Sequence, residues 1–279
     1  MRVEQLRLAY ATVARLGSGT AHEAYVVQLS RAFAECGCDT TVASTAFPMA
    51  ELDLPRRFGA MPVRLSFQCL GPAPLKSSLV SNLFIAFRLL TRPGKAGSDR
   101  SLWITHNTII AWAAALRKQP WVFDVHQIDP RARLLHSALQ RRSCRGILFN
   151  SAVAMAKFEK LHGPIAVPAL ISRNAIDPAP FKVAPSQSTA RHELGLPEAR
   201  LIFLYAGSFG PNRGLEEIIA AAAEFERTQP GRALWVLVGG RGEELAEFER
   251  RVREQSVSAD IRLHGLQYSS RLPLWYAAA

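Results

Sequence analysis

The chain has 279 residues, 48% of them hydrophobic, and a formal net charge of +11. That length exceeds the usual single domain, so two domains of roughly 100–180 residues are expected. The apolar content excludes a disordered chain. The charge is unevenly placed: residues 1–170 hold 21 Lys/Arg against 10 Asp/Glu, whereas residues 171–279 hold 13 of each. The first half should therefore attract an anionic partner, or else carry a solvated basic face. The four cysteines, Cys36, Cys38, Cys69 and Cys144, show no C-x-x-C pair and no metal-ligand spacing, which suggests buried, reduced thiols in a cytoplasmic protein and no structural metal. Arg2, Glu4, Arg7 and Arg15 interrupt the N-terminal apolar run and argue against a signal peptide. The most apolar window, "LVSNLFIAFRLL" from Leu79, is shorter than the roughly 20 residues a bilayer span needs.

In chain order, Leu6–Val13 reads as a strand leading through "RLGSGTAH" into a helix with Ala24, Val27, Leu29 and Phe33 inward. "TTVAST" and "VRLSF" read as strands, and Ser77–Arg92 as a mostly buried helix. "LWITHN", "WVFDVHQID" and "GILFNS" are further buried strands, each followed by a helical segment such as "IIAWAAALRK", and "ALISRNAID" closes this half. "PAPFKVAPSQSTA" reads as a linker. "LIFLYAG", "LWVLVGG" and "IRLHGL" are then three strands separated by helices at Gly214–Thr228 and Glu243–Gln255. "LIFLYAG" is apolar without alternation, as expected of a strand buried on both faces. The alternation of strands and helices, occurring twice, predicts two doubly wound α/β domains: 1–177, a linker at 178–190, and 191–279.

The loop "GSFGPNRG" between Tyr205 and Leu215 joins a strand to a helix headed by Glu216 and Glu217. Such a junction presents bare backbone N–H groups and a positive dipole end to an anion, with Arg213 placed to add a formal charge. An ordinary turn into the next helix is the alternative. Neither "GSGTAH" nor "GRGEEL" completes a dinucleotide fingerprint, because the third glycine position falls on His22 in one and Leu245 in the other. No P-loop and no G-x-S-x-G occur, and nothing beyond charge favours nucleic acid.

Taken in order, "LGSGTAHEAYVVQLSRAFAECGCDTTVAST", "WVFDVHQID", "ILFNSAVAMAKF", "ISRNAIDPAPF", "YAGSFGPNRGLEEIIAAA", "LWVLVGGRGEE" and "IRLHGLQYSSRLPLWY" resemble the retaining glycosyltransferases of family 4. The resemblance runs over essentially the whole chain, and "YAGSFGPNRGLEEI" looks closest to the branch acting on deoxy-amino sugars. It implies the GT-B architecture, two Rossmann-like domains facing a cleft, with a nucleotide-sugar donor, a lipid-linked or saccharide acceptor, and no metal or other cofactor. Where the family reads G-R-x…K-G, Gly207 and Gly214 match the glycines, Arg213 stands at the Lys position and Ser208 replaces the Arg, so one of two diphosphate-neutralising cations is missing. His126 falls where the family places a histidine near the reacting centre; Gly17, Ser18 and Gly19 fall on its N-terminal Gly-rich loop. Gly240 and Leu266 fall on the nucleoside side. Asn174 and Asp177 match an interdomain segment.

The family continues beyond "RLPLWYAAA" with further strands and an E-x7-E segment whose carboxylates hold the donor sugar and ribose. The expectation is thus a C-terminally truncated chain with an incomplete second domain, impaired or inactive in transfer. A non-catalytic acceptor- or partner-binding relative and a GT-B nucleotide-sugar epimerase are the alternatives. The basic first half and the apolar helix Ser77–Arg92 point to the inner face of an anionic membrane as a peripheral location.

Overall fold

The structure, a computed structural model, describes residues 6–13, 16–17, 20–44, 57–58, 61–70, 78–91, 101–126, 132–255 and 257–279. It divides into two compact units, Met1–Ile176 and Asp177–Ala279.

Seven parallel strands form the first unit's sheet: β1 (Arg7–Ala11), β2 (Asp39–Ser44), β3 (Leu65–Cys69), β4 (Ser101–Thr105), β5 (Trp121–Val125), β6 (Cys144–Phe149) and β7 (Ala169–Ile171). Their order is β3-β2-β1-β4-β5-β6-β7. The chain winds outward from β1 in one direction and from β4 in the other, so the topological switch point lies between these two strands. The helices are α1 (Ala21–Glu35), α2 (Ser78–Thr91), α3 (Thr108–Leu116), α4 (Ala132–Leu139) and α5 (Ala152–His162). Side chains alternate across the sheet, so Trp121, Phe123 and Val125 join one apolar cluster with Ile85, Ile110, Leu135 and Phe158. Val122 joins the other with Tyr10, Ile104, Val26 and Val27. Burying each large apolar side chain contributes about 1.5–3 kcal/mol, and that pattern rather than helix propensity fixes the layers. Polar residues start the helices: Thr20 accepts from the Glu23 N–H, and Asn107 accepts from the N–H groups of Ile109 and Ile110 at 3.0 and 3.1 Å.

Two expectations are corrected here. Only Cys144 is buried; Cys36 and Cys69 are exposed, because Cys36 caps the end of α1 and Cys69 ends the edge strand β3. Nor is 178–190 a bare linker. The Asp177 carboxylate accepts from the Ala179 N–H at 2.9 Å and starts α6 (Ala179–Lys182), and Ser186 then caps α7 (Gln187–Leu194). The stretch belongs to the second unit, where buried Arg191 donates to the carbonyls of Ala278 at 2.8 Å and Arg200 at 3.1 Å.

The second unit's sheet has the order β10-β9-β8, all parallel. Its elements are β8 (Leu201–Ala206), α8 (Leu215–Thr228), β9 (Ala233–Gly240), α9 (Gly242–Glu254), β10 (Ile261–Gly265) and α10 (Leu272–Ala278). β9 is the central, buried strand. β8 is at the edge, so Leu201 and Phe203 are exposed rather than enclosed on both faces as its unbroken apolar run suggested.

Candidate functional site

The carboxyl ends of β1, β4 and β5 meet at the switch point of the first sheet, the crevice where doubly wound folds bind ligands. Tyr10 comes from β1, His106 follows β4, Asp124 lies in β5 and His126 follows it; His22 and Tyr25 come from the start of α1. These six side chains form one cluster. Asp124, buried, accepts from the Tyr10 hydroxyl at 2.6 Å (Oδ2) and from the Tyr25 hydroxyl at 3.4 Å (Oδ1), and its Oδ2 lies 3.0 Å from His126 Nε2. His22 Nε2 lies 3.3 Å from His106 Nδ1, and the rings of His22 and His126 stand 5.8 Å apart. The Tyr25 ring meets His126 edge-on at 4.3 Å.

Burial sets the electrostatics. It holds His106 well below the ordinary imidazole range, with His22 and His126 adding to the effect. It also lowers His22, helped by His126 and opposed by Asp124. Burial next to Asp124 raises the Tyr10 hydroxyl well above its usual value, so Tyr10 serves as a neutral donor. Sequence reading singled out His126 and missed the other five. The visible signal was the D-x-H spacing of "FDVHQ", which puts two polar side chains on the same strand face at its end.

The Gly-rich loop before α1 is tied to that helix. Gly17, at φ +91°, donates its N–H to Glu23 Oε1 at 2.7 Å. Glu23 is buried and also takes both terminal nitrogens of Arg57, at 2.7 and 2.9 Å. Ser18 and Gly19 lie outside the described residues.

In the second unit, the loop from Gly207 to Gly214 is built on close backbone approach. Gly207 continues the ladder by donating to Val238 O at 2.9 Å. A Cβ at Gly207 would stand 2.6 Å from the Tyr205 hydroxyl, which itself donates to Ser208 O at 2.8 Å. Gly239, at φ +121°, faces the Gly207 carbonyl, and Gly240 lies against the ring of buried Phe209. Gly240 thus has a packing reason to be glycine, while Leu266 is an exposed residue after β10.

Gly214, at φ +72°, begins α8 with no side-chain cap, which leaves the first-turn N–H groups available to an anion. Arg213 makes no ion pair or hydrogen bond among the described residues, although its charge acts on the Tyr205 hydroxyl. An open pocket of about 870 Å³ between the starts of α8 and α9 includes Arg213. There Glu216 pairs with Arg251 at 2.6 Å and Glu247 with Arg250 at 2.7 Å. Glu217, Glu243 and Glu244 line the same pocket without a cation partner among the described residues, and Arg213 is its lining cation left outside an ion pair there. Among the described residues no group of three or more His, Cys, Asp or Glu is placed to hold a metal ion.

This architecture is that of the GT-B proteins. The chain is similar to Anabaena Alr3699/HepE, solved in complex with UDP and glucose: TM-score 0.72, 15% identity, 99% of this chain and 73% of that one covered. It is also similar to WaaG, a glycosyltransferase involved in lipopolysaccharide biosynthesis: TM-score 0.65, 14% identity, 95% and 72% covered. A third similar structure is UDP-N-acetylglucosamine 2-epimerase from Rickettsia bellii: TM-score 0.57, 11% identity, 96% and 71% covered. No protein-family model matches the chain, and no curated protein matches it in sequence.

Proposed function

We propose that this chain is a retaining glycosyltransferase of family 4 that takes a nucleotide sugar, a UDP-sugar by analogy with HepE, and passes the sugar to a saccharide or lipid-linked acceptor in polysaccharide or glycolipid assembly. Transfer requires charge stabilisation at the departing diphosphate and at an oxocarbenium-like sugar. The Gly207–Gly214 loop, the uncapped start of α8 and Arg213 meet the first need. His126, held by Asp124, is assigned the second role. The observation that carries this reading is the likeness, over 99% of this chain and 73% of the other, to a structure in complex with UDP and glucose. Titration calorimetry with UDP tests it. Arg213→Ala should weaken binding by about 1.5–3 kcal/mol, the range for a charge-assisted hydrogen bond. Unchanged affinity would remove the loop from the donor site.

The epimerase likeness supports a second reading, which predicts conversion of the donor with no acceptor present.

An anionic membrane surface is the proposed location, at a face of the first unit. α3 packs between α2 and α4. Outward from that layer stand Val80, Leu83 and Phe87 at helical spacing on α2, and Trp112 and Leu116 on α3. The described residues from Ser78 to Arg145 carry seven Lys/Arg against one carboxylate, Asp124, which is buried. Exposed apolar positions at helical spacing in a segment rich in Lys/Arg fit a bilayer bearing acidic headgroups. Among the described residues no helix is long and apolar enough to cross a membrane. Phe87→Asp should abolish sedimentation with acidic vesicles, and binding to neutral vesicles as strong as to acidic ones would count against the assignment.

A further inference from the structure

The Asp124–His126 contact fixes which imidazole nitrogen carries the hydrogen when the ring is neutral. Asp124 Oδ2 is met by the Tyr10 hydroxyl at 2.6 Å and by His126 Nε2 at 3.0 Å, while Oδ1 is met by the Tyr25 hydroxyl at 3.4 Å. A carboxylate has acceptors only, so the nitrogen facing it carries the hydrogen. Tyr10 is buried, and Tyr25 packs its ring edge on His126, so both partners of the carboxylate are fixed from elements other than β5. His126 Nδ1 has no hydrogen-bond partner among the described residues, and the His126 side chain is partly exposed.

We infer that Asp124 is a positioning residue that locks His126 as the Nε2–H tautomer, so that His126 offers a bare Nδ1 lone pair to a substrate hydroxyl. The group recognised is then a sugar hydroxyl, which donates to that nitrogen, and not a phosphate oxygen, which would need an N–H there. A buried carboxylate fixing the tautomer of an imidazole is sound general chemistry. Two further groups face the ring: His22 at 5.8 Å and His106 at 6.0 Å. Burial favours the neutral form of both, so neither places a full positive charge beside Nδ1. Which hydroxyl is bound rests on the transferase reading; the tautomer does not.

The test uses the full chain labelled with ¹⁵N-histidine, with the His126 signals assigned by loss in His126→Gln. Long-range ¹H–¹⁵N spectra at neutral pH should show Nε2 protonated and Nδ1 bare. Asp124→Asn, which keeps the shape and removes the charge, should give mixed tautomers. Tyr10→Phe, which leaves the carboxylate in place, should keep the wild-type pattern. With a UDP-sugar donor, Asp124→Asn should lower kcat by about 10²-fold or more and leave the donor KM unchanged, the split expected when an interaction made chiefly in the transition state is lost. Wild-type His126 protonated on Nδ1, or an unaltered pattern in Asp124→Asn, would overturn the inference. Absence of UDP binding would instead overturn the transferase reading and leave the tautomer result standing.

Discussion

Gly240 offers a sharp separation of packing from ligand contact. A Cβ built there would lie 2.5, 2.7 and 2.9 Å from Cδ2, Cε2 and Cγ of Phe209. Carbon atoms at rest stand about 3.5–4.0 Å apart, so in Gly240→Ala the ring must retreat by about 1 Å. It has little room: Phe209 is 4% exposed and its ring packs against Phe248 at 5.3 Å. Overpacking of this kind costs about 1–3 kcal/mol, and full loss of a buried Phe, at about 3–5 kcal/mol, bounds the effect. Amide exchange along β8 and β9 reads the cost locally in a two-unit chain, where one global melting temperature would mix both units. Protection should fall by about 5- to 150-fold, given tenfold per 1.4 kcal/mol. Because Phe209 is carried by the same loop as Arg213, UDP affinity should fall with it. Adding Phe209→Leu should restore part of the protection, giving a coupling between the two sites. Lost UDP affinity with protection intact would refute the packing account and return Gly240 to the nucleoside contact its sequence position suggested.

Two further outcomes concern the first unit. Glu23→Gln removes the charge that pairs with the buried Arg57 guanidinium; destabilisation of about 1–3 kcal/mol is expected in denaturant titration followed through the first unit, and no measurable loss would show the pair to be incidental. His106 is held neutral by burial, so the unfolded chain binds its proton more readily than the folded one: stability from this residue is fully present above its unfolded value near 6.5 and declines as pH falls below it. Unfolding midpoints measured from pH 7.5 to 5 should slope less in His106→Gln than in wild type, and equal slopes would exclude His106 as the source.

The strands were legible because buried parallel strands read as unbroken apolar runs, and every run singled out in the sequence became a strand at nearly the expected place. What such runs do not carry is a strand's place in its sheet. "LIFLYAG" and "LWVLVGG" look alike, yet β9 is central and β8 is an edge, a difference set by pairing partners far along the chain. The Pro, Ser and Ala of 178–190 hid two helices for a related reason. Pro178 and Ser186 are helix-starting residues as much as loop residues, and the evidence that α7 is packed lies in Arg191, whose carbonyl partners include Ala278, 87 residues away.

The site follows the same logic. His126 is singled out by the family resemblance, at the end of an apolar run where the family places a histidine. Tyr10 could not be, because its partner Asp124 lies 114 residues further on and the two meet only when β1, β4 and β5 lie side by side. The same holds for His22 with His106, 84 residues apart. A motif read along one strand therefore yields the residue at its tip, whereas the groups that set that residue's proton come from neighbouring elements. Asp124 is the instructive case: it sits two residues from His126, yet a carboxylate in an apolar strand gains a role only once the donors that surround it are known.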